Sequence, residues 1–205
     1  MLRFGLYDGN QACVDEGLKQ FDIHINCQFD SACGLFYHGY HCVDEQTLGE
    51  HWGRGNGWAA VSLAELLDLL KEQPHQTERY KAVFTQLMEN VYSLRLENGM
   101  LRTLLDVKEA YPETSASALF AYAALKGHKL GLLDGKYRTW GLQIIGEILA
   151  RHLAEDGTVL HASGGTDCQE KEGYLKVPYQ SRQYTTGVVL MLLTKALEEL
   201  PQTSE

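Results

Sequence analysis

The sequence predicts an all-α fold built of helical hairpins, with residues 1–205 forming one domain. Three observations lead there. Amphipathic segments of helical period recur along the chain. A Gly-centred turn and a short extended stretch follow each of them. Each unit then closes with a second helix of small and apolar residues, so that the plan is read three times over.

The first unit begins after Asp8-Gly-Asn10. It predicts a helix from Ala12 to about Phe29, with Val14, Leu18, Phe21 and Ile25 on its apolar side, and a turn at Cys33-Gly34 into Leu35-Phe-Tyr-His-Gly-Tyr40. Its second helix is expected over Trp58 to Leu70. There Val61, Leu63, Ala64, Leu66, Leu67 and Leu70 give an apolar face too wide for a helix with one wet side. The second unit runs from about Gln76 to Leu96, turns at Glu97-Asn-Gly99 into Met100-Leu-Arg-Thr-Leu-Leu105, and resumes at Ser115 until Gly127. The third runs from Lys136 to Leu153, turns at Asp156-Gly157, and finishes with Thr185 to Leu200. Each second helix opens with small or hydroxyl residues: Ala59-Ala60, Ser115-Ala-Ser117 and Thr185-Thr-Gly187. Such residues let backbones approach closely and leave amide donors free, so these inner helices are expected to start on one common rim. Successive hairpins of this kind stack as an open solenoid or close as a ring. The unequal connections after the Gly turns favour a ring with functional loops on one rim.

Composition narrows the function classes. With 44% apolar and 22% charged residues in 205, the chain suits a globular domain with one substantial core. The 18 basic residues against 27 acidic ones, a formal charge of −9, do not suggest a phosphate-neutralising surface, so no nucleic-acid partner is expected. No apolar run reaches the roughly 20 residues of a membrane-spanning helix, and the opening residues lack a signal-peptide pattern, so no membrane association and a cytoplasmic location are expected. Five cysteines without a CxxC pair argue against a disulfide framework and against a zinc site.

The residues with chemical potential fall before the inner helices. His51-Trp-Gly-Arg-Gly-Asn-Gly-Trp58 sets a guanidinium and two indoles among three glycines. The glycines permit unusual backbone angles and close ligand approach. Arg54 can clamp a carboxylate in a bidentate fork, and Trp52 or Trp58 can offer a flat face to a sugar ring. The competing reading is a packing turn with Arg54 in an internal salt bridge. In Leu35 to Tyr40, strand alternation would send Phe36 and His38 to one face and Tyr37 to the other, with His38 as a donor to substrate or a proton relay. Glycoside chemistry needs a carboxylic acid near the reacting atoms, and the candidates are Asp44, Glu50, Asp106, Glu113 and Asp167. Glu113, just before an inner helix, is also placed to cap that helix, and its position favours the cap. Gly164-Gly-Thr166-Asp167 is a possible close-approach loop on the same rim.

Taken in order, Gly34-Leu-Phe-Tyr-His-Gly-Tyr40, Trp52-Gly-Arg-Gly-Asn-Gly-Trp58 and Glu113-Thr-Ser-Ala-Ser-Ala118 resemble glycoside hydrolase family 105, the unsaturated rhamnogalacturonyl hydrolases. The resemblance implies the (α/α) toroid of six hairpins. About three are expected here, as a partial ring lacking the N-terminal half. It also implies removal of an unsaturated galacturonyl residue from pectin-derived oligosaccharides, without metal or organic cofactor. In that chemistry an Asp protonates the C4–C5 double bond, water adds at C5, and collapse of the hydrated sugar releases the aglycone. By matching motif, His38, Arg54 and Trp58 are assigned to the substrate site, and Trp52 and Glu113 are added to it from their place before the inner helices. The catalytic residue is not identified, because the family's Asp lies N-terminal to the segment that Met1 to Leu6 matches. One departure is His41, where the family commonly carries an Asp. The implied partners are an unsaturated galacturonyl-rhamnose oligosaccharide and, because half a ring exposes apolar edges, a second copy of the chain or a separate N-terminal half. The alternatives are a catalytically inactive sugar-binding or structural remnant, and a helical-repeat interaction module.

Overall fold

A computed structural model describes residues 1–72 and 77–198. Helices carry the architecture: α1 (Leu2–Asp8), α2 (Gln11–Gln28), α3 (Gly53–Leu69), α4 (Glu78–Leu94), α5 (Thr114–Lys129), α6 (Gly135–Arg151), α7 (Lys171–Lys176) and α8 (Gln183–Leu197). Between them lie three antiparallel two-stranded ribbons: β1 (Phe29–Asp30) with β2 (Leu35–Phe36), β3 (Gly39–His41) with β4 (Gln46–Leu48), and β5 (Leu101–Arg102) with β6 (Pro112–Glu113). The extended stretches expected after the first two Gly turns take part in these short ribbons, whereas after the third turn Val159 makes only an isolated bridge with Leu153. The expected helix limits at Gln76 and Leu200 lie outside the described residues.

Helix starts follow the capping chemistry of the sequence. Asn10 accepts the Cys13 amide at the start of α2, Asp134 accepts the Lys136 amide at α6, and Glu113 accepts the Ser115 and Ala116 amides at α5. Each side chain satisfies donors that a helix leaves unpaired. α5 is the centre of the molecule: it packs on α3, α6 and α8, and Ala116 through Leu125 is buried apart from Tyr122. Its alanines explain this, because short side chains let three helices approach one. α4 leans on α3, while α1 packs against α2. Around α5 the core is filled by Phe84, Phe120 and Trp140, and the indole N–H of Trp140 donates to the Gly99 carbonyl at 2.8 Å.

Two features differ from the sequence expectation. α1 and α7 are additional short helices, and α3 starts at Gly53 rather than near Trp58, so the glycine-rich string is the helix's own first turns. None of Gly53, Gly55 or Gly57 has a positive φ. Their role is close approach. A Cβ on Gly53 would lie 2.5 Å from the Arg102 carbonyl oxygen, and one on Gly57 would lie 2.8 Å from Leu119 Cβ. Large apolar side chains left exposed include Phe4 and Tyr7 on α1 and Leu190 and Leu197 on α8.

This packing makes a contrast between two helical glycines. Gly53→Ala pushes a methyl into backbone and is expected to cost about 1–3 kcal/mol. Gly146→Ala, in α6 with nothing within 4 Å of the new Cβ, is expected to gain roughly 0.5–1 kcal/mol from helix propensity. Thermal melting of the two variants should move in opposite directions; equal melting temperatures would contradict the packing.

Candidate functional site

The starts of α3, α5 and α8 meet around Arg54. Arg54 is 5% exposed. Nη1 donates to Ser115 Oγ (3.1 Å), the Ser163 carbonyl (2.9 Å) and Ser163 Oγ (3.0 Å), and Nη2 donates to the Gly164 carbonyl (2.7 Å). Trp52 and Tyr184 lie against the guanidinium at 4.5 and 4.7 Å. Glu113 Oε1 is 3.6 Å from Nη1. The common rim expected for the inner helices is thus present, and the Gly164 segment reaches it. The fork of Arg54 is turned inward, as in the packing-turn alternative, and not into open solvent.

Glu113 is completely buried, and its carboxylate is consumed by the fold. Oε1 accepts from the amides of Ser115 (3.1 Å) and Ser163 (2.9 Å) and from Ser115 Oγ (2.5 Å), and Oε2 accepts from the Ala116 amide (2.5 Å). It is the helix cap that its sequence position allowed, and it also ties the 163 segment to α5.

A cleft of about 360 Å³ opens beside this network, between α2, the stretch after β2, and α3. Gln20, His24 and Gln28 line it from α2, Tyr37 and His38 from the connecting stretch, and Gly55 and Trp58 from α3. Trp58 is 44% exposed, an unusual cost for an indole that packing alone would bury. The alternation expected for Phe36, Tyr37 and His38 does not hold: β2 ends at Phe36, the chain bends before β3, and all three line the cleft. Asn56 enforces that path, because its amide accepts the Phe36 N–H (2.7 Å) and donates to the Phe36 carbonyl (2.8 Å).

His38 joins cleft and network. Its ring stacks on Trp52 (centroids 4.3 Å), and Nδ1 is 2.7 Å from the hydroxyl of the fully buried Tyr174. Burial, and then the Arg54 charge, push the imidazole below the usual histidine range, while Asp167 pulls the other way. His38 is therefore a neutral donor or acceptor near pH 7. The site residues read from sequence divide in two: His38 and Trp58 line the cleft, whereas Trp52, Arg54 and Glu113 stand behind it. The Trp52 indole nitrogen is buried and has no hydrogen-bond partner.

The candidate carboxylates are scattered. Asp44 pairs with His41 at 3.0 Å, Asp106 pairs with His51 at 2.8 Å, and Glu50 gives its backbone carbonyl to the His38 amide. The His51 hydrogen bond holds the Asp106 carboxyl below the usual range. Among the described residues no Asp or Glu lines the cleft. Sequence reading missed Tyr174, Tyr184 and Asn56. Tyr174 lies 136 residues from His38, and no local pattern could pair them.

The sequence matches the family model Glycosyl Hydrolase Family 88 over residues 1–200. It is 31% identical over 201 residues to the unsaturated rhamnogalacturonyl hydrolase YesR of Bacillus subtilis, covering 97% of this chain and 56% of that protein. An unsaturated 3S-rhamnoglycuronyl hydrolase of Alteromonas is 25% identical over 191 residues, 90% of this chain and 45% of that one. The crystal structure of a possible GH105 member from Salmonella enterica superposes with a TM-score of 0.91 at 26% identity, covering 96% of this chain and 53% of that chain. This chain thus spans about half the length of the relatives it matches. No helix among the described residues is long and apolar enough to cross a membrane. The helical fold and the family resemblance read from the sequence agree with these likenesses, and the chain belongs to glycosyl hydrolase family 88.

Proposed function

We propose that this chain supplies the sugar-binding half of an unsaturated rhamnogalacturonyl hydrolase, acting on pectin-derived oligosaccharides that end in an unsaturated galacturonyl residue. The cleft carries the reading. It offers an exposed indole at Trp58 for a sugar face, and a neutral imidazole at His38 with the amides of Gln20 and Gln28 for hydroxyls. Trp52, Arg54 and Glu113 act as positioning residues: Arg54 and Glu113 hold the inner-helix starts, and Trp52 supports the His38 ring. The positive field of Arg54 also reaches the cleft, since it is felt at His38, and it favours an anionic sugar there.

The acid that protonates the double bond is assigned to a partner surface and not to this cleft, which presents no carboxylate among the described residues. The exposed apolar side chains of α1 and α8 suit a half-ring that completes itself against a second copy or a separate N-terminal half. A mass of two chains by light scattering at micromolar concentration is expected, and a monomer there counts against self-pairing.

The function is tested with an unsaturated galacturonyl-rhamnose disaccharide, following the ultraviolet absorbance of its double bond beside a full-length family enzyme. The purified chain is expected to bind the disaccharide and leave the absorbance unchanged. A fall at the control's rate would place the acid within this chain, with Asp167 the first to replace, because it is the carboxylate that His38 senses. Neither binding nor turnover would favour a structural remnant.

Two substitutions separate contact from support. Trp58→Ala is expected to weaken disaccharide binding by roughly tenfold or more, about 1.4 kcal/mol or more, at little cost in melting temperature. Arg54→Ala leaves the buried Glu113 without its cation and is expected to lower stability by about 3–5 kcal/mol. Calorimetric binding beside thermal melting distinguishes them. Unchanged affinity in Trp58→Ala would remove the cleft as the sugar site.

A further inference from the structure

Beside Tyr37, three metal-ligating side chains converge, two from the β1–β2 hairpin and one from just before α3. Asp30 ends β1, Cys33 stands in the β1–β2 turn, and His51 precedes α3. One ligand atom from each lies within 4.8 Å of the other two. Cys33 Sγ and His51 Nε2 are 3.7 Å apart. A thiolate at about 2.3 Å and an imidazole at about 2.0 Å from one tetrahedral zinc ion would stand roughly 3.6 Å apart. The pair therefore already holds the separation that a shared ion imposes.

The surroundings favour a ligand set over a chance meeting. His51 is 8% exposed, and its other nitrogen, Nδ1, is 2.8 Å from Asp106 Oδ2. A carboxylate on one imidazole nitrogen fixes the tautomer and aims the lone pair of the other, the arrangement commonly found behind metal-bound histidines. Asp30 is oriented by the Ala32 amide, which donates to Oδ1 at 2.9 Å and leaves the second oxygen available. The Tyr37 ring packs on the imidazole at 4.5 Å and restricts its rotation. Sulfur and imidazole nitrogen together select a borderline-soft ion over magnesium or calcium.

We propose that Asp30, Cys33 and His51 form a zinc site, with water as a fourth ligand and Asp106 as the positioning residue of His51. On binding, the Cys33 thiol gives its proton to solvent and its sulfur donates an electron pair to the ion; nothing is oxidised or reduced. The ion clips the β1–β2 turn to the entry of α3. Tyr37 and His38, which line the cleft, lie in the segment between Cys33 and His51, so the clip steadies that wall. This departs from the expectation drawn from the missing CxxC pair, which considers only ligands close in sequence.

The test is a titration of Co²⁺ into chelator-treated protein. The expected result is one ion per chain, visible bands of tetrahedral intensity, a thiolate-to-cobalt charge-transfer band in the near ultraviolet, and displacement by Zn²⁺. Cys33→Ser should abolish the charge-transfer band while Cys42→Ser retains it. Asp106→Asn should keep the band and weaken affinity roughly 10–100-fold. Zinc should raise the melting temperature of the unaltered protein and not that of Cys33→Ser. Absence of a charge-transfer band, or a band that survives Cys33→Ser and disappears on replacing Cys42 or Cys168, overturns the proposal.

Discussion

The rim of this molecule depends on one buried cation. Helix N-termini carry partial positive charge, and the first turns of α3, α5 and α8 meet where Arg54 sits. A guanidinium there is unfavourable unless something offsets it. Four hydrogen-bond acceptors do so, the carbonyls of Ser163 and Gly164 and the hydroxyls of Ser115 and Ser163, together with the carboxylate of Glu113 as an ion pair at 3.6 Å. Glu113 in turn takes two amides of α5 and the Ser163 amide. Cation and anion therefore stabilise the same junction from opposite sides, and neither is tolerable there without the other.

That constraint divides the labour among residues which look alike in sequence. Trp52 and Trp58 lie six positions apart in one string, yet Trp52 supports Arg54 and His38 while Trp58 is 44% exposed in the cleft. α3 starting at Gly53 accounts for the difference. Once the string is helical, Trp52 is its N-cap and Trp58 stands on the second turn, so the two indoles leave the helix in different directions. The glycines serve the same end, since Gly53 and Gly57 let α3 lie against the Arg102 backbone and α5 closely enough for Arg54 to reach Ser115 and Ser163.

The sequence made the helices legible wherever the cause was local. The cap at Glu113, the alanine-rich face of α5, and the convergence of small-residue helix starts follow from nearest-neighbour chemistry and period. Where the cause was distant, the reading failed. Alternation through Phe36 to His38 assumed a continuing strand, but Asn56, 20 residues away, holds both backbone groups of Phe36 and ends it. Tyr174 under His38 and Tyr184 against Arg54 come from the last third of the chain, and no pattern near either partner announces them. The start of α3 was missed because glycines read as helix breakers, whereas here the space available for a Cβ decides.

His38 shows why such distant support matters for chemistry. An isolated histidine is half protonated near pH 6.5, and a mixture of forms makes a poor hydrogen-bonding partner for a neutral hydroxyl. Burial and the Arg54 charge hold this one neutral, and Tyr174, 2.7 Å from Nδ1, restricts the ring to one orientation. The stack on Trp52 fixes its plane. In the proposed function the cleft would meet a sugar with side chains already set, and the ordering entropy that binding would otherwise cost is met in folding. A rim built this way sets a neutral His38 beside an exposed indole under the field of a buried cation, an environment that suits the anionic, hydroxyl-bearing ring proposed as its ligand.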